Sequence, residues 1–301
     1  MADFRTVTMK NTTRGLRNRM MDVTVIAITS VAVLLCLLPF MNIISISLST
    51  NAAVMAAKIT LFPIGLNLDT YHAVLSDNTM IRSLLFTIEM TAVYTLFAMV
   101  LTIFAAYPLT KKRLRGRNFF LVLIVITMYF SGGIIPDYML VKSLNLLDTM
   151  WALILPGMVS AYNLIILKTF FANIPESLEE SAYLDGCTDV GILFKIVLPL
   201  STPVLATLSL FYAVLRWNWF QDSLFYITDS HLYPLQLKLF QIVYNSMAVD
   251  VTGLEGGTAN MFTPEGLKAT CVVFATLPIL IVYPWLQRYF VRGVMIGAIK
   301  G

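Results

Sequence analysis

A chain of 301 residues that is 58% hydrophobic and 13% charged lies outside the range of water-soluble domains and of disordered segments; its mean hydropathy is +0.78. The formal net charge of +4 is not accompanied by a basic, aromatic-studded soluble face, so nucleic acid is excluded as a partner. No glycine precedes lysine, no H-E-x-x-H occurs and no glycine has serine two positions on, which removes the P-loop, zinc-protease and serine-nucleophile chemistries.

Six stretches of 19 to 35 residues contain no lysine, arginine, aspartate or glutamate, and every other uncharged gap is shorter. A helix rises about 1.5 Å per residue, so roughly 20 apolar residues cross a hydrocarbon core of about 30 Å. The stretches predict an all-α integral membrane protein with six transmembrane helices over approximately 22–48, 83–109, 118–136, 149–170, 197–226 and 268–290. They form a single membrane domain spanning 1–301, with a cytoplasmic loop at 172–198 and an external loop at 228–267. A cleaved signal peptide is the alternative for the first stretch, but Val23 to Phe40 exceeds the usual apolar region of such a signal.

Lysine and arginine near the membrane resist translocation. Arg5, Lys10, Arg14, Arg17 and Arg19 precede the first span, and Lys111, Lys112, Arg113, Arg115 and Arg117 fill the second connection. Lys168 and Lys195 flank the fourth connection, and Arg288, Arg292 and Lys300 follow the last span. Fifteen of the 21 basic residues therefore fall on one side, which predicts that both termini are cytoplasmic. Pro39, Pro203 and Pro278 lie within spans and Pro136 closes the third, as suits bent helices around a pathway. Cys36, Cys187 and Cys271 suggest neither a disulfide framework nor a metal site, and His72 and His231 receive no role.

The fourth connection is the most informative. Asn173 is a candidate cap, Pro175 fits a first helical turn, and Glu176, Glu179 and Glu180 suit the positive end of a helix dipole. Gly186 suits a left-handed helix end, and Thr188 or Asp189 is a candidate cap for a second short helix. Leu178, Ala182 and Tyr183 share one face of the first, giving a knob suited to a groove.

At these residues the chain resembles the EAA loop of ABC-importer permeases. Glu180-Ser181-Ala182, three residues, Gly186, nine residues and Ile196-Val197-Leu198-Pro199 reproduce its spacing, with Ser181 the one departure. The likeness to the carbohydrate-uptake group, the MalG-like and LplC-like permeases, extends over most of the chain. It includes Gly132-Gly133-Ile134-Ile135-Pro136, Trp217-Asn218-Trp219, Tyr233-Pro234-Leu235-Gln236-Leu237 and the ending Gly297-Ala298-Ile299-Lys300-Gly301.

The resemblance implies a type I ABC-importer permease in a bacterial cytoplasmic (inner) membrane, itself non-catalytic. It also implies a heterodimer with a second homologous permease, two ATPase subunits that use ATP and Mg, and an extracytoplasmic solute-binding protein delivering an oligosaccharide, such as an alginate or pectin fragment. No cofactor is expected on this chain. Glu179, Glu180, Ser181, Ala182, Tyr183, Asp185, Gly186, Ile196, Leu198 and Pro199 are the implied ATPase-coupling residues, with Glu180 meeting a basic residue of the ATPase.

Arg216, Trp217, Asn218, Trp219, Gln221 and Asp222 are candidates for the substrate pathway, since aromatic faces stack on sugar rings and amides bond hydroxyls. The alternative is an outer aromatic belt with a snorkelling arginine. Arg216 either pairs with Glu89 or faces the cavity, where it would favour an acidic, uronate-type sugar. Asn245, Gly253, Gly256 and Gly257 lie in a segment that either contacts the binding protein or serves as a connector. A permease for another solute, or a secondary transporter or channel, is the functional alternative.

Overall fold

The computed structural model describes residues 16–130, 132–252 and 263–298. Their regular elements are all helices, and the one β-bridge among them joins Ser49 to Leu66. The chain divides into two compact units, Met1–Leu68 with Met261–Thr270, and Asp69–Asn260 with Cys271–Gly301.

The first unit contains α1 (Leu16–Ser47) and α2 (Asn51–Met55). Within α1, Met21–Ser47 contains an 18-residue window with a mean hydropathy of 2.6 and no residue buried among the described residues. Its C-terminal end is tied down by side-chain hydrogen bonds. Asn42 Nδ2 donates to the Thr60 carbonyl at 2.6 Å, and Ser45 Oγ to that of Leu61 at 2.7 Å. The returning strand-like segment turns at Gly65, whose φ is +65° and where a Cβ would stand 2.9 Å from the Thr50 methyl carbon. Both the backbone and the space require glycine there.

The second unit is built on α4 (Asn78–Ala106), which follows the short α3 (Asp69–Ser76). Asp77 caps α4 by accepting the Thr79 N–H at 2.8 Å. Met80, Ser83, Thr87, Met90, Tyr94, Ala98, Thr102 and Ala106 form its buried stripe at steps of three and four, while Leu85, Leu96 and Phe104 are exposed. Large apolar side chains such as Leu85, Leu96 and Phe104 thus cover the outer face, while the inward stripe mixes Met80, Met90 and Tyr94 with the small hydroxyl residues Ser83, Thr87 and Thr102. Two of the inward hydroxyls are satisfied within the helix, Thr87 Oγ1 on the Ser83 carbonyl and Thr102 Oγ1 on that of Ala98, both at 2.7 Å, whereas Thr91 Oγ1 is buried with no hydrogen-bond partner among the described residues.

After a 3-10 turn (Pro108–Thr110) come α5 (Arg117–Tyr129), α6 (Ile134–Ser143), α7 (Met150–Ile154) and α8 (Ala161–Ala172). The knob region contains α9 (Glu176–Leu184), α10 (Asp189–Ile192), a π-turn (Leu193–Val197) and α11 (Leu198–Leu200). Then follow α12 (Thr202–Asn218), α13 (Gln221–Tyr226), α14 (Leu235–Thr252) and α15 (Pro264–Ala298). α4 packs on α8, α12 and α14. Tyr212 is the hub: its hydroxyl lies 2.7 Å from Thr102 Oγ1 of α4 and accepts the Ser160 N–H, ahead of α8, at 3.2 Å.

Among the described residues three helices are long and apolar enough to cross a membrane: Met21–Ser47, Asn78–Thr110 and Pro264–Pro284. Two bent pairs, Arg117–Tyr129 with Ile134–Ser143 and Asp189–Leu200 with Thr202–Asn218, bring the number to five if each is one span. The structure departs from the sequence-drawn boundaries in four places. The stretch 149–170 is broken at Pro156, which lacks a donor, and Gly157, whose φ is +72°. The stretch 118–136 is interrupted ahead of Gly133, whose φ is +87°. The stretch 197–226 bends by 83° around Ser201, which lies between Pro199 and Pro203, and breaks again at Trp219. The loop drawn at 228–267 contains α14, whose Leu235, Leu237 and Leu239 are buried and whose Leu235 N–H donates to Thr87 Oγ1 at 2.7 Å.

Candidate functional site

Two places in the second unit bring chemically versatile side chains together. The first lies at the end of α12. Trp219 leaves the helix with extended backbone (φ −86°, ψ 123°), and α13 starts two residues later. The break places Arg216, in the last turn of α12, against Asp222, in the first turn of α13. Each charge also suits its own helix end. Arg216 Nη1 and Nη2 donate to the two Asp222 carboxylate oxygens at 2.6 and 3.2 Å, and the side chains are only 4% and 12% exposed. The guanidinium also lies over the Tyr94 ring, 5.9 Å from its centroid. Its Nε is buried without a hydrogen-bond partner among the described residues.

Arg216, Trp219, Gln221 and Asp222 line one cavity of about 310 Å³ together with Tyr94, Asp137, Phe225 and Tyr226. The expected Arg216–Glu89 pair does not form; Asp222 takes the arginine and Glu89 is exposed. Trp217 and Asn218 lie off this cavity. The Trp217 indole donates to the Ala275 carbonyl of α15 at 3.3 Å, in the turn before Pro278, and the Asn218 amide donates to the Val214 carbonyl at 2.9 Å. Tyr94 and Asp137 escaped the sequence reading because a tyrosine in a buried stripe looks like core and a lone aspartate looks like a loop residue. The run Gly132-Gly133 before the short helix carrying Asp137 was the available signal.

The second place is the knob. Pro175, expected in the first turn, stands at the N-cap of α9, and Asn173, the expected cap, ends α8 as its C-cap instead. Gly186 adopts φ +78°, with nothing within 4 Å of a Cβ there, and the Thr188 hydroxyl accepts the Gly191 N–H at 3.2 Å to cap α10. Of the residues expected on one face, Ala182 is buried against the bundle while Leu178 and Tyr183 are exposed. Leu184, at the tip, is 90% exposed. Glu180, Ser181, Asp185 and Gly186 are exposed, Ile196 and Leu198 are half-buried, and Pro199 is exposed.

Glu179 turns the other way. It forms an ion pair with Lys111 of the second connection, both side chains mostly shielded, and Lys111 Nζ also sits 4.3 Å from the Tyr107 ring centroid. Lys112 reaches Glu176 at 2.8 Å. Arg113 pairs with Asp189 and donates to the Tyr183 hydroxyl at 3.1 Å, while that hydroxyl donates to Asp189. The Tyr183 hydroxyl and the Arg113 guanidinium hold the Asp189 carboxyl below its ordinary value, and the Lys112 hydrogen bond does the same for Glu176. The sequence had presented the basic cluster only as a topological signal. Asn245 is an exposed residue of α14, and Gly253, Gly256 and Gly257 lie outside the described residues.

Residues 98–296, two-thirds of the chain and most of both places, match the family described as binding-protein-dependent transport system inner membrane component. The chain belongs to this family. The permease is 44% identical over 286 residues to the polygalacturonan/rhamnogalacturonan transport system permease protein YtcP of Bacillus subtilis, covering 95% of this chain and all of the relative. It is 45% identical over 296 residues to the B. subtilis protein LplC, covering 98% of each. Its fold matches a chain of a bacterial ABC transporter involved in the import of the acidic polysaccharide alginate, with a TM-score of 0.81 and 30% identity over 91% of this chain and 98% of that one. The permease thus has the all-helical type I ABC permease fold and is a multi-pass membrane protein.

Proposed function

We propose that this permease is one of two membrane halves of an ATP-driven importer for oligosaccharides released from uronate-bearing polysaccharides. It pairs with a second, homologous permease, receives the sugar from an extracytoplasmic solute-binding protein, and spans the cytoplasmic membrane six times with both termini inside. ATP and Mg belong to two partner ATPase subunits, which seat the knob in their grooves. The observation that carries this reading is the knob itself. A short helix with an exposed tip, ended by a left-handed Gly186 and continued by a Thr188-capped turn into the bundle, sits at the motif spacing of importers. The ATPases bias inward- against outward-facing states only through contacts that differ between them, and a seated helix supplies such contacts.

The cavity at Arg216 suits a sugar ring by its aromatic and amide lining. It does not act as a free cation site. Asp222 neutralises Arg216, and Asp137 leaves the lining with an excess of one carboxylate. Kinship with polygalacturonan and alginate importers supports the acidic substrate, and selection for the acid group then falls to the binding protein and the second permease.

The test is ATPase activity in proteoliposomes containing both permeases, the ATPases and the binding protein, with oligogalacturonates and neutral oligosaccharides compared. Stimulation by binding protein loaded with the acidic sugar, lost in Gly186→Leu while the complex still assembles, is the expected result. Equal stimulation by every sugar would overturn the substrate class, and undiminished stimulation in Gly186→Leu would overturn the knob.

A further inference from the structure

We infer that Lys111 and Arg113 are positioning residues of the transport stroke: they clasp α9 to the cytoplasmic end of α4, so that knob and α4 move as one body. This rests on the reading of the knob as the ATPase-docking element.

The geometry favours a clasp. α9 has nine residues, too short to hold a fixed direction by itself. It enters through the turn at Pro175 and leaves through the left-handed Gly186, so the chain changes direction at both ends. One side chain, Ala182, anchors it in the apolar core. A push on the exposed tip would swivel such a helix and dissipate the stroke.

The second connection blocks the swivel at both ends. Near the start of α9, Lys111 holds Glu179. Near its end, Arg113, Tyr183 and Asp189 form a closed triangle that spans the Gly186 bend and joins α9 to α10. The other side of the clasp is firmly seated. Lys111 follows the 3-10 turn directly, its N–H donating to the Pro108 carbonyl at 3.0 Å, with Thr110 Oγ1 on the Tyr107 carbonyl at 2.7 Å and Leu109 buried. Tyr107 in turn packs edge-on against Phe171 of α8 at 6.4 Å. α4 then runs from this turn to Tyr94, beside Arg216 in the polar cavity. One rigid helix therefore connects the clasp to the cavity wall.

Apart from the shielded Lys111–Glu179 pair, these contacts lie near the surface and add little stability. Their consequence is direction: they convert movement of α9 into movement of α4. Glu179 and Glu180 accordingly divide their labour, the first facing the clasp and the second facing outward.

The experiment uses the reconstituted complex of both permeases, ATPases and binding protein. Lys111→Glu and Glu179→Lys should each assemble normally, yet deliver less sugar per ATP by about five-fold or more, on the scale of typical coupling between sites. The exchanged pair, Lys111→Glu with Glu179→Lys, should recover most of the yield. A purely structural role would lower the amount of assembled complex and leave sugar per ATP unchanged. A second measurement needs no charge reversal. With the native cysteines replaced, Lys111→Cys and Glu179→Cys are joined by a short bismaleimide. Transport should survive the bridge, because the clasp stays closed throughout the cycle; a block would overturn the inference. So would an exchanged pair no better than the single variants. Glu180→Lys and Gly186→Leu separate the two readings: if they leave uptake intact the docking reading falls, whereas if they abolish it while the clasp variants transport normally, the clasp alone falls.

Discussion

Two sets of opposite charges face each other across helix breaks in this permease, and they differ in how much water reaches them. At the cavity, one arginine and one aspartate make a bidentate contact with side-chain exposures of 4% and 12%. At the knob, three basic residues meet three carboxylates, from the shielded Lys111–Glu179 pair to Lys112–Glu176 at 79% and 72%. A dry pair is dangerous to break and insensitive to salt, whereas wet pairs are individually weak, screened and easily re-formed. On the function proposed above, the first suits a wall that keeps its shape around a passing solute. The second suits a contact that must steer a moving helix without locking the fold.

The contrast predicts its largest effect at Asp222. Asp222→Ala leaves the Arg216 guanidinium buried and unpaired, which costs about 3–5 kcal/mol in such settings. Thermal unfolding in detergent should show the greatest loss of the series, and Arg216→Met combined with Asp222→Leu should regain most of it. A loss no larger than that of a surface variant would mean that the pair is wetter than its geometry implies.

Tyr212→Phe comes next. It removes the hydroxyl that joins Thr102 of α4 to the Ser160 N–H ahead of α8, at a cost of about 1–3 kcal/mol for the donor left behind. The same unfolding measurement checks it, with Thr102→Val as the companion. That companion should cost less, because the Ser160 donor keeps its partner.

The chain's legibility divides along the same line. Local punctuation was readable: Gly186 was expected at a left-handed helix end and has a φ of +78°, and Thr188 caps the turn that follows. The long apolar helices α1, α4 and α15 were readable from uncharged length alone. What depended on contacts distant in sequence was not. Nothing local to Lys111 shows that Glu179, 68 positions on, is its partner, and positive-inside counting gives the whole basic cluster one meaning. Nor does hydropathy distinguish a straight span from one broken at Pro156-Gly157, since both residues fit inside an uncharged stretch. Trp217 and Trp219 are two apart, and helix geometry alone would have turned them to different faces. The first is tied to α15 and the second lines the cavity.

The smallest effects belong to the wettest contacts of the knob. Lys112→Ala should leave thermal stability unchanged within error, because both partners of its pair stand in solvent. Acid offers a finer probe. The carboxyls of Glu176 and Asp189 are held below their ordinary values of 4.5 and 3.8. A depressed carboxyl pKa contributes fully above the unfolded value and is lost as pH falls through the lower folded value. The Lys112–Glu176 and Arg113–Asp189 contacts should therefore hold unchanged across neutral and mildly acidic pH and loosen only below those ordinary values. Added salt should loosen them at neutral pH as well, by screening. Hydrogen exchange of the α9 amides measures both effects. Protection factors there, taken relative to the intrinsic exchange rate at each pH, should fall with acid or salt while the amides around Arg216 and Asp222 stay protected against salt. Equal response to salt in the two places would remove the distinction between a wet clasp and a dry wall.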